Sequence, residues 1–253
     1  MILDRFKLDG KVALVTGGGR GLGQGMALGL AEAGADVFLV DLSPATETQA
    51  MIRALGRKCE VLAADLSLHA AIDATVTSCR QKLGRLDILV NNAGIIRRAP
   101  VLEFSQKDWD DVIAVNLRAV FFLCQAAARV MVEQGQGGRI INIASMLSFQ
   151  GGILVPSYTA SKSGVMGLTR LLANELAARG INTNAIAPGY MATDNTAPLR
   201  GDAERSRAIL DRIPAGRWGT PDDLKGVAVF LASEASSYLN GYTIAVDGGW
   251  LAR

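Results

Sequence analysis

The sequence predicts an α/β fold: a single domain built on an open, doubly wound, seven-stranded parallel sheet. Three observations predict it. Short runs rich in Val, Ile and Leu alternate with helical patterns along the whole 253 residues. The runs are apolar throughout rather than alternating, as strands buried on both faces must be. Glycines repeatedly close the helical patterns just before the next run. Such alternation implies right-handed βαβ units with helices on both sheet faces. The length suffices for one domain, residues 1–253, with a large core.

In order, Lys11–Thr16 (KVALVT) reads as the first strand, followed by a glycine loop and a helical pattern from Gln24 to Ala33 that Gly34 stops. Asp36–Asp41 (DVFLVD) is the second strand, and Ala45–Leu55 a helix ending at Gly56. Cys59–Asp65 is strand three, and Ala70–Leu83 a helix ending at Gly84. Leu86–Val90 is strand four; a long helix then runs from Ser105 or Gln106 through Glu133. Arg139–Ala144 (RIINIA) is strand five, Ser157–Arg179 a helix ending at Gly180, and Ile181–Ala187 strand six. Asp194–Ile213 is polar and weakly helical. Pro221–Ser233 is a helix with proline in its first turn, and Tyr242–Val246 is strand seven. No linker, repeat or low-complexity tract interrupts the series. A Rossmann-like sheet of this kind binds ligands at the carboxyl ends of its strands, near the switch in strand order.

Composition narrows the partners. The net charge of +2, from 26 basic and 24 acidic residues, gives no reason to expect nucleic acid. No apolar run reaches the ~18–20 residues of a membrane span. The opening Met1–Gly10 has no apolar signal core. Cys59, Cys79 and Cys124 are widely spaced and odd in number, so they read as reduced thiols filling the core of a cytoplasmic protein. His69 is the sole histidine, which leaves no His-based metal cluster and no Ser-His-Asp triad. No metal is expected, and proton transfer falls to another residue type.

The strand ends carry the candidates. After strand one, Gly17, Arg20, Gly21, Leu22 and Gly23 form a G-x-x-x-G-x-G loop opening a helix. Glycines there allow a tight turn and close approach of a pyrophosphate to the helix N-terminus. Strand two ends in Asp41, eighteen residues after Gly23, then Leu42. A carboxylate at that place accepts from ribose hydroxyls and repels a 2′-phosphate, favouring NAD over NADP. Arg20 is the counter-argument, since a cation could meet that phosphate. Strand three ends in Asp65-Leu66, placed for the adenine, and strand four in Asn91-Asn92-Ala93-Gly94. Strand five ends in Ala144-Ser145; strand six in Pro188-Gly189, followed by Tyr190, Met191 and Thr193. Taken alone, these ends define a ligand-binding α/β domain and no particular chemistry.

Tyr158 and Lys162 add the chemistry. They are four residues apart in a helical segment, so they share a face with Cβ atoms about 5–6 Å apart. A free phenol titrates near ~10. A neighbouring ammonium favours the phenolate and makes the Tyr a usable acid or base.

Together these residues resemble the short-chain dehydrogenase/reductase family over the whole chain: Thr16-Gly17-x-x-x-Gly21-x-Gly23, Asp65-Leu66, Asn91–Gly94, Asn116, Ser145, Tyr158-x-x-x-Lys162, and Pro188-Gly189 with Thr193. The resemblance implies a nicotinamide-dependent alcohol–ketone oxidoreductase. By it, Tyr158 is the acid/base, Lys162 lowers its pKa and holds the nicotinamide ribose, and Ser145 holds the substrate oxygen. Asn116 supports a water-linked proton relay, and Thr193 with the backbone near Tyr190 holds the carboxamide. In the family the two long helices pair between subunits, which implies a homotetramer.

Longer stretches, among them INIASMLSFQGG and NGYTIAVDGGWLAR, resemble a subgroup acting on deoxy sugar acids. A sugar acid needs a cation for its carboxylate, best an arginine fork. Arg97 and Arg98, directly after Asn91–Gly94, are the first candidates. Arg217 is the second, beyond a substrate-covering segment at about 190–215. Gln150 can bond sugar hydroxyls. Two alternatives stand beside this reading: a reductase of another carbonyl, such as gluconate at C5 or a 3-oxoacyl thioester on a carrier protein, and a non-catalytic dinucleotide sensor.

Overall fold

A computed structural model describes the whole chain, Met1–Arg253. Seven strands are β1 (Val12–Thr16), β2 (Asp36–Asp41), β3 (Cys59–Ala63), β4 (Ile88–Asn91), β5 (Gly138–Ile143), β6 (Ile181–Pro188) and β7 (Thr243–Val246). They form one sheet in the order β3-β2-β1-β4-β5-β6-β7, with every pair parallel. The order reverses between β1 and β4, so the carboxyl ends of these two neighbours flank the crevice where such sheets take ligands.

Helices cover both faces. α1 (Gly21–Glu32), α2 (Thr46–Ala54) and α9 (Lys225–Ala232) lie on one side; α3 (His69–Leu83), α4 (Gln106–Ile113), α5 (Ala119–Gln134) and α6 (Pro156–Leu176) lie on the other. Pleating divides the core accordingly. Leu14 of β1 joins Phe38, Val76, Leu89, Leu123 and Val165 in one cluster. Its neighbours Ala13 and Val15 join Met26, Leu30, Leu39, Ile141 and Leu231 in the other. Each Val, Leu, Ile, Phe or Met among them contributes about 1.5–3 kcal/mol on burial. The glycines that stop the helical patterns take positive φ, +110° at Gly34, +76° at Gly56, +81° at Gly84 and +73° at Gly180. These are values that glycine adopts without the Cβ penalty other residues meet.

The long helix is one body in two parts. Between α4 and α5, Ala114–Arg118 forms a π-helical turn with Asn116 buried inside it. Gln106–Gln134 is the only helix long and apolar enough, by composition, to cross a membrane. Its apolar face packs on the sheet instead: Val120, Leu123, Ala127 and Met131 are buried in the core.

Two short helices, α7 (Ala197–Gly201) and α8 (Ala203–Leu210), follow β6 in the segment expected to be weakly helical. They sit over a small third cluster of Met146, Ile209, Ile213 and Trp250. There Tyr190 stands edge-on to two indoles, Trp218 at 5.5 Å and Trp250 at 4.8 Å between ring centroids.

Candidate active site

The glycine loop is held by its neighbours rather than by its own side chains. Thr16 Oγ1 accepts from the backbone N–H of Asn92 and of Ala93, both at 3.0 Å. The Asn92 amide donates in return to the carbonyls of Thr16 and Gly17, each at 3.0 Å. The ends of β1 and β4 are thereby locked together. Gly17 has φ +64°, and a Cβ there would lie 2.8 Å from Asn92 Nδ2. A Cβ at Gly23 would strike the Gly17 carbonyl and the same amide. Arg20 is the N-cap of α1 without any side-chain cap, so the first-turn N–H groups at Gly21 and Leu22 face an elongated cleft. A helix N-terminus with free donors beside tight glycines fits a pyrophosphate.

The cleft has a volume of about 420 Å³ and runs along the carboxyl ends of the strands. Gly17, Arg20, Asp41, Leu42, Asp65, Leu66, Asn92, Ala93, Gly94, Pro188, Gly189, Met191 and Thr193 line it, with Ser145, Tyr158 and Lys162 at the other end. Three residues expected to bind the cofactor or take part in catalysis do not. Gly23 lies beneath Gly17 as a packing glycine. Tyr190 turns into the aromatic cluster. Asn116 stands behind the wall, where its amide accepts from Ile95 N at 2.8 Å and donates to Ile95 O at 2.9 Å and Ser161 Oγ at 3.3 Å. Val40, Ala64, Ile95, Ile96 and Val115 add an apolar lining that strand-end reasoning did not single out. Their signal was present: each adjoins a residue that was.

Asp41 uses one lone pair on each oxygen inside the chain. Gly19 N donates to Oδ2 at 2.9 Å and Leu42 N to Oδ1 at 2.8 Å. Its remaining lone pairs are free to accept. Arg20 does not stay at the adenosine end, because its guanidinium reaches Asp194 at 2.8 Å and links the glycine loop to the segment after β6.

At the reacting end, Ser145 Oγ accepts from Leu147 N at 3.1 Å, which leaves its own proton to donate into the cleft. Burial raises the Tyr158 pKa, while the Ser145 hydroxyl and the Arg98 charge pull it down. Lys162 is expected to lower this pKa by its charge, and it stands close by. Lys162 Nζ donates to the Ile143 carbonyl at 2.6 Å and lies 5.7 Å from the Tyr158 ring centroid. At the phenol itself, desolvation outweighs the Ser145 hydrogen bond and the Arg98 charge. Lys162 is itself 4% exposed, and burial lowers its pKa from 10.5 to about 8.

That shift has a sign that can be measured. Between about 8 and 10.5 the folded chain has released a proton that the unfolded chain still holds. The contribution of Lys162 to stability therefore rises with pH across this window and is least favourable below about 8, where a buried ammonium must be carried. The unfolding free energy of the wild type relative to Lys162→Met should increase over the same interval. Parallel curves for the two proteins would mean that Lys162 titrates as it does in water.

The arginines divide by partner. Arg97 lines the cleft but pairs with Asp108 at 3.3 Å. Arg98 donates to the Asn195 carbonyl at 3.1 Å and meets no carboxylate. Arg217 lines neither this cleft nor the cavity beside it; it forms a two-pronged pair with Asp223, both contacts 2.7 Å, so the structure does not bring it to a substrate. Gln150 lines that neighbouring cavity rather than the cleft.

Comparison with known proteins agrees with this geometry. A family profile of short-chain alcohol dehydrogenase type, described as enoyl-(acyl carrier protein) reductase, matches residues 17–251. The chain is 64% identical over 253 residues to 2-dehydro-3-deoxy-D-gluconate 5-dehydrogenase of Escherichia coli, covering 100% of both. It is 54% identical to the Bacillus subtilis protein of the same name, covering 99% of this chain and 98% of that one. A solved structure from Agrobacterium tumefaciens, described as a candidate 2-deoxy-D-gluconate 3-dehydrogenase with bound NADP, superposes with a TM-score of 0.93 at 55% identity. The match covers 98% of this chain and 99% of that one. A cleft built for a dinucleotide, a Ser-Tyr-Lys group at its reacting end and similarity along the full length have one common explanation: the chain belongs to the short-chain dehydrogenase/reductase family.

Proposed function

We propose that the chain is an NAD-dependent dehydrogenase that interconverts a secondary alcohol and a ketone on a six-carbon deoxy sugar acid. The observation that carries the chemistry is the convergence of Ser145, Tyr158 and Lys162 at one end of a cleft whose other end holds Asp41 and the glycine loop. The names of the most similar relatives support the substrate class. The bound nicotinamide supplies or accepts the hydride. Tyr158 gives or takes the proton at the substrate oxygen, Ser145 Oγ donates to that oxygen, and Lys162 sets the charge of the pocket. Asn116, anchored to the Ile95 backbone, supports the path by which a proton leaves Lys162. Positioning and a single proton transfer are the protein's share. A segment at about 190–215 covers the substrate.

NAD is preferred over NADP because a 2′-phosphate would sit against Asp41. NADP use has its own support in the cofactor of the Agrobacterium relative. The discriminating measurement is kcat/KM with each dinucleotide on a panel of deoxy-aldonic acids. Asp41→Ala should cost roughly 10–150-fold with NAD, the worth of a hydrogen bond to a charged group, and little with NADP. Because the same substitution frees the Gly19 N–H, the NADP arm reports any general loosening of the loop. Equal kcat/KM for both dinucleotides in the wild type would defeat the NAD reading.

A homotetramer is expected from the faces of the long helices. Val112, Ala119, Ala127, Val165 and Leu172 are buried within the monomer, but Phe122, Ala126, Leu168 and Leu176 remain half-exposed. Static light scattering should give a tetramer at micromolar concentration; a monomer would rule it out. A cytoplasmic, reducing setting suits the three thiols, each buried and raised to about 12.

A further inference from the structure

Beside the dinucleotide cleft lies a second cavity of about 310 Å³. Leu147, whose N–H bonds Ser145 Oγ, forms part of its inner wall, together with Tyr190, which lies between the cleft-lining Gly189 and Met191. The cavity therefore begins at a residue hydrogen-bonded to the Ser145 hydroxyl. Its outer wall comes from α8 and the turn that follows it. Arg205, Ile209 and Arg212 recur at helical spacing, so two guanidiniums and an apolar side chain face the same space.

Charge and orientation single out Arg212. No acidic residue lines the cavity. Neither Arg205 nor Arg212 pairs with a carboxylate, whereas Arg20, Arg97 and Arg217 each do. The Arg212 guanidinium lies over the Trp250 ring at 4.0 Å, which fixes its plane without using an N–H. One Nη2 proton goes to Gln150 Oε1 at 3.3 Å, and the other edge of the fork has no partner in the chain. A planar fork held by stacking, in a cavity with uncompensated positive charge, is built to take a carboxylate by two hydrogen bonds.

We propose that this cavity is the subsite for the substrate carboxylate, with Arg212 as the two-pronged anchor, Arg205 as a supporting charge and Gln150 orienting the fork. The proposal rests on the sugar-acid reading above and assigns the carboxylate to α8 and the turn after it rather than to Arg97 or Arg98. The bound chain then runs past Tyr190 and Leu147 and presents a carbon remote from the carboxylate to Tyr158. Arg98, whose charge already acts on the Tyr158 phenol, belongs to the reacting end.

The test compares 2-deoxy-D-gluconate with the polyol that carries CH₂OH in place of its carboxylate. Arg212→Gln should lower kcat/KM for the acid about 10–100-fold, mostly through KM. It should change the polyol by less than about threefold and leave NAD affinity unaltered. Arg212→Lys, which keeps the charge and loses the fork, should recover only part of the loss. Arg205→Gln is the second arm. Its side chain makes no hydrogen bond in the chain, so it tests the charge without disturbing the Trp250 stack, and a smaller, acid-selective loss is expected. Equal losses for acid and polyol, or full acid selectivity in Arg212→Gln and Arg205→Gln alike, would overturn the subsite. A wild type that prefers the polyol would instead overturn the sugar-acid reading, before any variant is made.

Discussion

Tyr158→Phe is expected to lower kcat by about 10²–10⁴-fold while leaving dinucleotide affinity close to that of the wild type. Removing one hydroxyl takes away the proton carrier, and general acid–base catalysis is worth about that much. The aromatic ring stays, so the half-buried position loses little packing. Stopped-flow hydride transfer and a cofactor titration on the same preparation separate the two effects. A variant retaining a tenth of wild-type kcat would mean that another group moves the proton. Ser145 is the nearest alternative by position, but its hydroxyl accepts from Leu147 N and donates to no carboxylate or imidazole that could take its proton. The pH profile is a second readout. Burial raises the Tyr158 pKa, so without further stabilisation of the phenolate, oxidation of an alcohol should gain rate toward alkaline pH.

Gly23→Ala is expected to cost about 100-fold or more in dinucleotide affinity and to lower the unfolding temperature as well. The added methyl would strike the Gly17 carbonyl and Asn92 Nδ2. Neither can move cheaply. The amide is held by the carbonyls of Thr16 and Gly17, and the carbonyl belongs to the loop itself. Overpacking of a close contact costs about 1–3 kcal/mol. A displaced loop also misplaces the N–H groups that meet the pyrophosphate, and a shift of about 1 Å can cost 10²-fold. Gly226→Ala is the matched control. It is a glycine on α9 where a Cβ meets nothing within 4 Å, and replacing it should be neutral or stabilising by about 0.5–1 kcal/mol. Wild-type affinity in Gly23→Ala would show that the loop tolerates a side chain and that the packing argument is wrong.

The parts of the fold that sequence made legible are those set by local composition. β2 begins and ends at Asp36 and Asp41 as its apolar run indicates, because four of its six residues are buried and the two aspartates bound them. Helices stop at Gly34, Gly56, Gly84 and Gly180 because each closure needs a positive φ. What stayed hidden depends on partners distant in the chain. The π-helical turn at Ala114–Arg118 carries Asn116, whose amide meets the Ile95 backbone twenty-one residues away. The fate of each arginine is of the same kind. Arg217 looks available until Asp223 folds back against it, and Arg20 looks like a phosphate ligand until Asp194 arrives from the segment after β6. The spacing of Tyr158 and Lys162 put them together correctly. It could not reveal how far burial would oppose their charges, since desolvation is a property of the whole pocket.

The placement of the aromatic cluster also makes the protein a natural optical instrument. Of its three tryptophans, Trp218 and Trp250 flank Tyr190, while Trp109 stands partly exposed on α4, away from the cluster. Trp250 lies directly under the Arg212 guanidinium in the second cavity. Its emission should shift or quench when an acid occupies that cavity. Reduced nicotinamide in the adjoining cleft absorbs where indole emits, so it should dim the same indoles by energy transfer. One unlabelled sample, excited at the indole band, can thus follow the arrival of both ligands in real time.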